Sequence, residues 1–142
     1  MSTTPGAHEI VEAFQEVPAN LRLELLLEYA DALPQLPERY ADHPELLEKV
    51  EECQSPVYLF VELDEDSKVN VFLTAPDEAP TTKGFASLLH KCLNQENAQT
   101  VLDFDESFVD DLGITELVSP LRIRGLHGML ARIKRQVKEK LI

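Results

Sequence analysis

The sequence predicts an α+β fold: a small three-stranded antiparallel sheet packed against helices supplied from both ends of the chain. Three observations lead there. Residues 56–65 (PVYLFVELDE) and 67–75 (SKVNVFLTA) are rich in Val, Phe and Tyr and are separated by an Asp-Glu-Asp-Ser cluster, the pattern of a hairpin. Apolar residues recur at helical spacing before and after that hairpin. The chain has 142 residues, 44% hydrophobic and 27% charged, which is enough to bury a core without disulfides or a structural metal.

Taken in order, the opening MSTTPGA (residues 1–7) carries no periodicity and is expected to be disordered. A weak helical pattern covers Glu9 to Phe14. Pro18 stands where a helix can start, and Leu23, Leu26, Leu27, Ala30 and Leu33 then form one apolar face, closed by Pro34 and Pro37. A short polar turn around Pro44 to Lys49 follows, and a short strand just before Cys53 is expected to add a third member to the hairpin. In the hairpin, Val57, Leu59 and Val61 share a face, as do Val69, Val71 and Leu73, giving a core side and a side only partly covered. Phe85, Leu88, Leu89, Cys92 and Leu93 mark the next helix, and two short turns lie near 97–102 and 106–112. The last helix starts near Pro120 with Leu126, Met129, Leu130, Ile133, Val137 and Leu141 on one stripe. With no repeat or linker, residues 1–142 read as one domain.

The net charge is -13, with 26 acidic against 13 basic residues. Such a chain repels phosphate backbones, so nucleic acid is not an expected partner. The basic residues that collect near the C-terminus are read as complements to a helix dipole. No apolar run reaches membrane-spanning length and no basic-then-apolar leader opens the sequence, so the expectation is a cytoplasmic protein that binds no membrane, with reduced thiols.

Two cysteines, Cys53 and Cys92, lie far apart with no CxxC pair and no histidine at metal-ligand spacing, so no metal site is expected. Cys92 falls on an apolar helical stripe and reads as core. Cys53, in VEECQSPVYLF (50–60), sits at a turn before a strand, where scaffolds display functional residues. None of His8, His43, His90 or His127 is singled out as its base, and assistance from His43 or Lys49 stays open. Glu48, Glu51 and Glu52 flank it, and negative charge disfavours a thiolate, so Cys53 is expected to be a poor nucleophile in the free protein.

CQS at 53–55 followed by a β run, PDEA at 76–79, KGF at 83–85 and SPLRIRGL at 119–126 stand in one order, preceded by LLLEYADALPQLPE at 25–38. Together they resemble the SufE family, sulfur acceptors for pyridoxal-phosphate cysteine desulfurases in iron–sulfur cluster assembly. The resemblance implies the SufE/IscU-like version of the fold above. It implies that Cys53 takes sulfane sulfur from the desulfurase's persulfide, that Gln54 and Ser55 complete the active loop, and that Glu78, Lys83, Gly84, Arg122 and Gly125 occupy motif positions, Arg122 helping to dock the desulfurase. The implied partners are a cysteine desulfurase and a downstream cluster scaffold. No cofactor is implied on this chain, pyridoxal phosphate belonging to the partner.

Glu52 stands in the active loop where the family usually has glycine. If that position needs φ > 0, the substitution costs about 1 kcal/mol. An idle loop is expected to tuck the cysteine against the apolar sheet face. Three other readings remain: an adaptor that activates a desulfurase without carrying sulfur; an IscU-type scaffold, which needs about three ligands where this chain has two cysteines; and a one-cysteine redox sensor, which needs an electropositive pocket the sequence does not show.

Overall fold

The computed structural model describes residues 3–141. Helix α1, Pro5–Glu16, begins on a local signal: the Thr4 hydroxyl accepts a hydrogen bond from the Ala7 amide at 3.1 Å, and Pro5 sits where its missing N–H costs nothing. Thr4 and Ala7 are buried, so the expected disorder of residues 1–7 is corrected for residues 4–7; residues 1 and 2 lie outside the described residues. After a 3-10 turn at Ala19–Leu21, helix α2 runs Arg22–Ala30. It stops short of the expected Leu33, because the residue before Pro34 is pushed out of helical geometry; Leu33 still packs against the core. A one-turn helix, α3 (Glu38–Ala41), was not expected.

The sheet consists of β1 (Glu48–Lys49), β2 (Tyr58–Leu63) and β3 (Val69–Thr74), antiparallel in the order β1-β2-β3. Glu48 pairs with Leu59, and across the hairpin Leu59 pairs with Leu73 and Val61 with Val71. In the turn, the Asp64 carboxylate accepts from the Asp66 and Lys68 amides, which lets Ser67 hold φ 61°. The two expected triplets, Val57, Leu59, Val61 and Val69, Val71, Leu73, are all buried. Each such side chain contributes about 1.5–3 kcal/mol of burial. On the opposite face the Tyr40 ring of α3 lies 5.5 Å from Phe60 and 5.2 Å from Phe72, so α3 is the partial cover.

Helices α4 (Pro80–Leu93), α5 (Ala98–Leu102), α6 (Phe108–Asp111) and α7 (Pro120–Lys140) complete the chain. Helix α4 packs between α2 and β3, and α7 lies along β2. Gly84 lets α2 and α4 close up, since a Cβ there would stand 2.6 Å from the Leu26 carbonyl oxygen. The α7 stripe is buried from Leu126 to Val137, but Leu141 is 45% exposed and does not belong to it. Where two-residue β1 no longer covers β2, the Gln136 side chain of α7 accepts the Val61 amide at 2.8 Å. Among the described residues no helix is long and apolar enough to cross a membrane.

Candidate functional site

Cys53 sits in a loop of residues 51–56 between two pinned stems. Val50 and Val57 are fully buried, and the Val50 amide donates to the Val57 carbonyl at 2.9 Å. Inside the loop, the Cys53 amide donates to the Val50 carbonyl at 3.1 Å, closing the turn. Pro56 fixes the chain direction into β2.

The loop rests on the bare backbone of α7. A Cβ added at Gly125 would lie 2.9 Å from Cys53 Sγ, and one at Gly128 would lie 2.8 Å from Glu52 Cβ. Glycine inside a helix costs about 1 kcal/mol relative to alanine, and this close approach is what the two glycines permit. One and two turns further along the same face, α7 turns from small to polar. Arg132 Nε donates to Glu52 Oε1 at 2.9 Å and its Nη1 to Glu48 Oε2 at 2.6 Å. Glu48 Oε1 accepts from Gln136 Nε2 at 2.8 Å and from Arg135. Thus α7 presents two stripes, an apolar one to the core and Gly125, Gly128, Arg132, Gln136 to the segment 48–53.

These contacts set the electrostatics. The Cys53 thiol is pushed up to about 11, first by burial and then by the negative charge of Glu52, with Arg132 acting against both. The thiol is raised as expected, but the order of causes is corrected: desolvation leads, and of the three flanking glutamates only Glu52 follows. Glu52 is held below the ordinary carboxylate range chiefly by its bond from Arg132. Glu48 is also held low, because the bonds from Arg135, Gln136 and Arg132 outweigh its burial. Neither glutamate belongs to a freely solvated face, and the C-terminal arginines do more than complement a dipole. Glu52 is not among the residues with positive φ, so the expected backbone cost does not arise. The idle cysteine seats on Gly125 of α7 and packs against the edge of the core.

A cavity of about 30 Å³ opens beside the thiol, lined by Cys53, Gln54, Ser55, Thr82, Leu121, Arg122 and Gly125. It has room for one or two water-sized groups. The structure therefore brings Gln54, Ser55 and Arg122 to Cys53, and Glu52 beside it. It does not bring Glu78, which is exposed ahead of α4, nor Lys83, whose ammonium bonds Asp77 at 2.6 Å. Ser119 caps α7 by accepting from the Arg122 amide, so part of the SPLRIRGL motif is structural. His43 is exposed and bonded to Glu45 at 3.0 Å, and Lys49 is exposed on β1. His90 of α4 is lowered by burial, and Cys92 is buried in the core with its thiol pushed far up by desolvation. Among the described residues no group of three or more His, Cys, Asp or Glu is placed to hold a metal ion.

Sequence reasoning missed Arg132, Gly128, Thr82 and Leu121. Gly128 left a readable signal, a second glycine three residues after Gly125 inside a strong helix. Arg132 left none, since its carboxylate partners lie some eighty positions away.

Fold and site define a small α+β protein that displays one shielded thiol on a loop at the sheet edge. The SufE family model, described as an Fe-S metabolism associated domain, matches residues 8–137. A SufE-like protein of Mycobacterium tuberculosis is 46% identical over 131 residues, covering 92% of this chain and 90% of that protein. The SufE-like protein 1, chloroplastic/mitochondrial, of Arabidopsis thaliana is 32% identical over 133 residues, covering 93% of this chain and 34% of its own length. The solution structure of a hypothetical protein from Thermus thermophilus superposes with a TM-score of 0.84 at 37% identity, covering 99% of this chain and 98% of that one. The chain belongs to the SufE family.

Proposed function

We propose that the protein accepts sulfur from a pyridoxal-phosphate cysteine desulfurase, carries it as a persulfide on Cys53, and delivers it to iron–sulfur cluster assembly. The observation that carries this reading is the half-buried Cys53 on its short loop against Gly125, with a cavity the size of a small group beside the sulfur. Family membership supports it, and a Plasmodium falciparum relative, 26% identical over 135 residues, bears the name cysteine desulfuration protein SufE.

The chemistry is thiol exchange. The Cys53 thiolate attacks the terminal sulfur of the partner's cysteine persulfide; a new S–S bond forms on Cys53, the partner's S–S bond breaks, and the partner cysteine leaves as thiolate. No net oxidation or reduction occurs. Gln54, Ser55 and Thr82 supply polar groups around the sulfur, while Arg122 presents a cation at the mouth of the cavity for partner docking. Glu78 and Lys83, near the start of α4, are assigned to the docking surface rather than to the exchange.

Incubating the protein with cysteine and a desulfurase, followed by mass spectrometry of the intact chain, tests the reading. The expected result is a gain of one sulfur on Cys53, absent from Cys53→Ser, which also loses stimulation of desulfuration. A Cys53→Ser protein that stimulates as well as the parent would show an adaptor instead.

A further inference from the structure

Between its pinned stems, the 51–56 loop has two tethers among the described residues: the Cys53 amide to Val50 carbonyl bond, and the ion pair from Arg132 to Glu52. The second is asymmetric in a useful way. Glu48 is held by Arg132, Arg135 and Gln136 together, whereas among the described residues Arg132 alone bonds the Glu52 carboxylate through a side chain. Losing Arg132 therefore leaves β1 anchored through Arg135 and Gln136 while it removes the loop's ion-pair tether. All three ion-pair side chains are partly shielded, with Arg132 22%, Glu48 24% and Glu52 30% exposed, so salt screens them less than a surface pair. Glu52 is adjacent to Cys53, and its Cβ rests on Gly128 one helical turn from the Gly125 seat of the thiol. Holding Glu52 down thus holds the thiol down.

We propose that Arg132 is a positioning residue that latches the cysteine loop onto α7 through Glu52, and that release of this one ion pair frees Cys53 to meet a partner's persulfide while β1 stays in place. The proposal deepens the sulfur-acceptor reading, on which the purpose of the latch rests. Its test needs no partner and no sulfur transfer, so either idea can fail without the other.

The test is alkylation of Cys53 in the isolated full chain, followed as a pH profile, together with hydrogen exchange of the Cys53 and Val50 amides. Electrostatics and the latch make opposite predictions for Arg132→Gln. The charges acting on the thiol are Glu52 from its own loop and Arg132 from α7, and Arg122, also of α7, lines the adjoining cavity. Removing the Arg132 cation alone would raise the thiol further and slow alkylation. A released latch instead exposes the thiol, so alkylation is expected to rise about tenfold, equivalent to about 1.4 kcal/mol. The Cys53 amide should exchange faster by a similar factor, with Val50 unchanged. Arg132→Lys should restore part of the parent rate, since a point charge can hold Glu52 without the fork that reaches both glutamates. Slower or unchanged alkylation in Arg132→Gln overturns the latch, as does an equal rise in Val50 exchange. Should Arg132→Gln fail to fold, Glu52→Ala gives the answer: faster Cys53 amide exchange with Val50 unchanged supports the latch, and unchanged Cys53 exchange refutes it.

Discussion

Replacing Gly125 by alanine separates the seat of the thiol from the stability of the helix that provides it. The new methyl group would stand 2.9 Å from Cys53 Sγ but 3.7 Å from Cys53 Cα, so the side chain must move and the backbone need not. Alanine also favours the helix by about 1 kcal/mol, so the variant should melt at or above the parent temperature. The evicted thiol loses the burial that is the largest cause of its rise to about 11 from 9.0. Full loss of that shift raises the thiolate fraction at pH 8 about a hundredfold, because each pH unit is a factor of ten. A less basic thiolate is also a weaker nucleophile, with a Brønsted slope of about 0.4–0.5, which returns close to a factor of ten. The net expectation is alkylation about tenfold faster at pH 8, with the rate levelling near pH 9 rather than still climbing. Iodoacetamide labelling of the parent and variant across pH 7–11, with Cys92 counted separately, makes the measurement. An unchanged rate profile in a variant that melts normally would refute the claim that Gly125 seats the sulfur.

Four further outcomes are expected. Glu48→Gln should cost about 1–3 kcal/mol in urea unfolding, because it takes the charged acceptor from Arg132 and Arg135 in a partly buried site. The same variant should flatten the acid limb of stability: a carboxyl held below its unfolded value stabilises above about pH 4.3 and loses that contribution as pH falls through its folded value, so the parent weakens faster than Glu48→Gln on acidification. Native protein should expose one alkylatable thiol and denatured protein two, since Cys92 is wholly buried and its thiol is pushed far up by desolvation; two reactive thiols in the native state would contradict the packing. Gln136→Leu should destabilise by about 1–3 kcal/mol and speed exchange of the Val61 amide, which loses its acceptor.

What the sequence disclosed follows from the range over which each interaction acts. Alternation along residues 57–61 and 69–73 identified the core face of the hairpin, because strand periodicity is local. The α7 stripe was legible for the same reason until Leu141, which continues the spacing past the point where anything lies beneath it. The start of α1 is also written locally, in the Thr4 cap and Pro5, a signal that carries no periodicity. Cys53 stood out by position, Cys92 by its stripe. The surroundings of Cys53 were not legible, since nearby glutamates in sequence suggested repulsion while their partners Arg132 and Arg135 arrive from the far end of the chain. The resemblance located Gly125 and Arg122 but gave no reason for the glycine, which only the contact with the sulfur supplies.

For a sulfur acceptor, shielding and reactivity pull in opposite directions. A persulfide left in solvent is lost to other thiols, while a buried thiol is a weak nucleophile because burial disfavours its anion. Helix α7 meets both demands by division of labour along its length. Its apolar stripe supplies the rigid platform, its glycines bring the loop down far enough to shield the sulfur, and its Arg132, seven residues beyond Gly125, holds the loop through one contact that a change of pairing can undo. Had the thiol been shielded by apolar packing alone, exposing it would mean surrendering burial worth about 1.5–3 kcal/mol for each large side chain moved. Apart from Cys53 itself, the loop carries only Glu51, Glu52, Gln54, Ser55 and Pro56, none of them a large apolar side chain buried in the core, so opening it surrenders no such burial beyond that of the thiol. Its retracted state is set by glycine contact and an ion pair, and the sheet beneath keeps its core whichever position the cysteine takes.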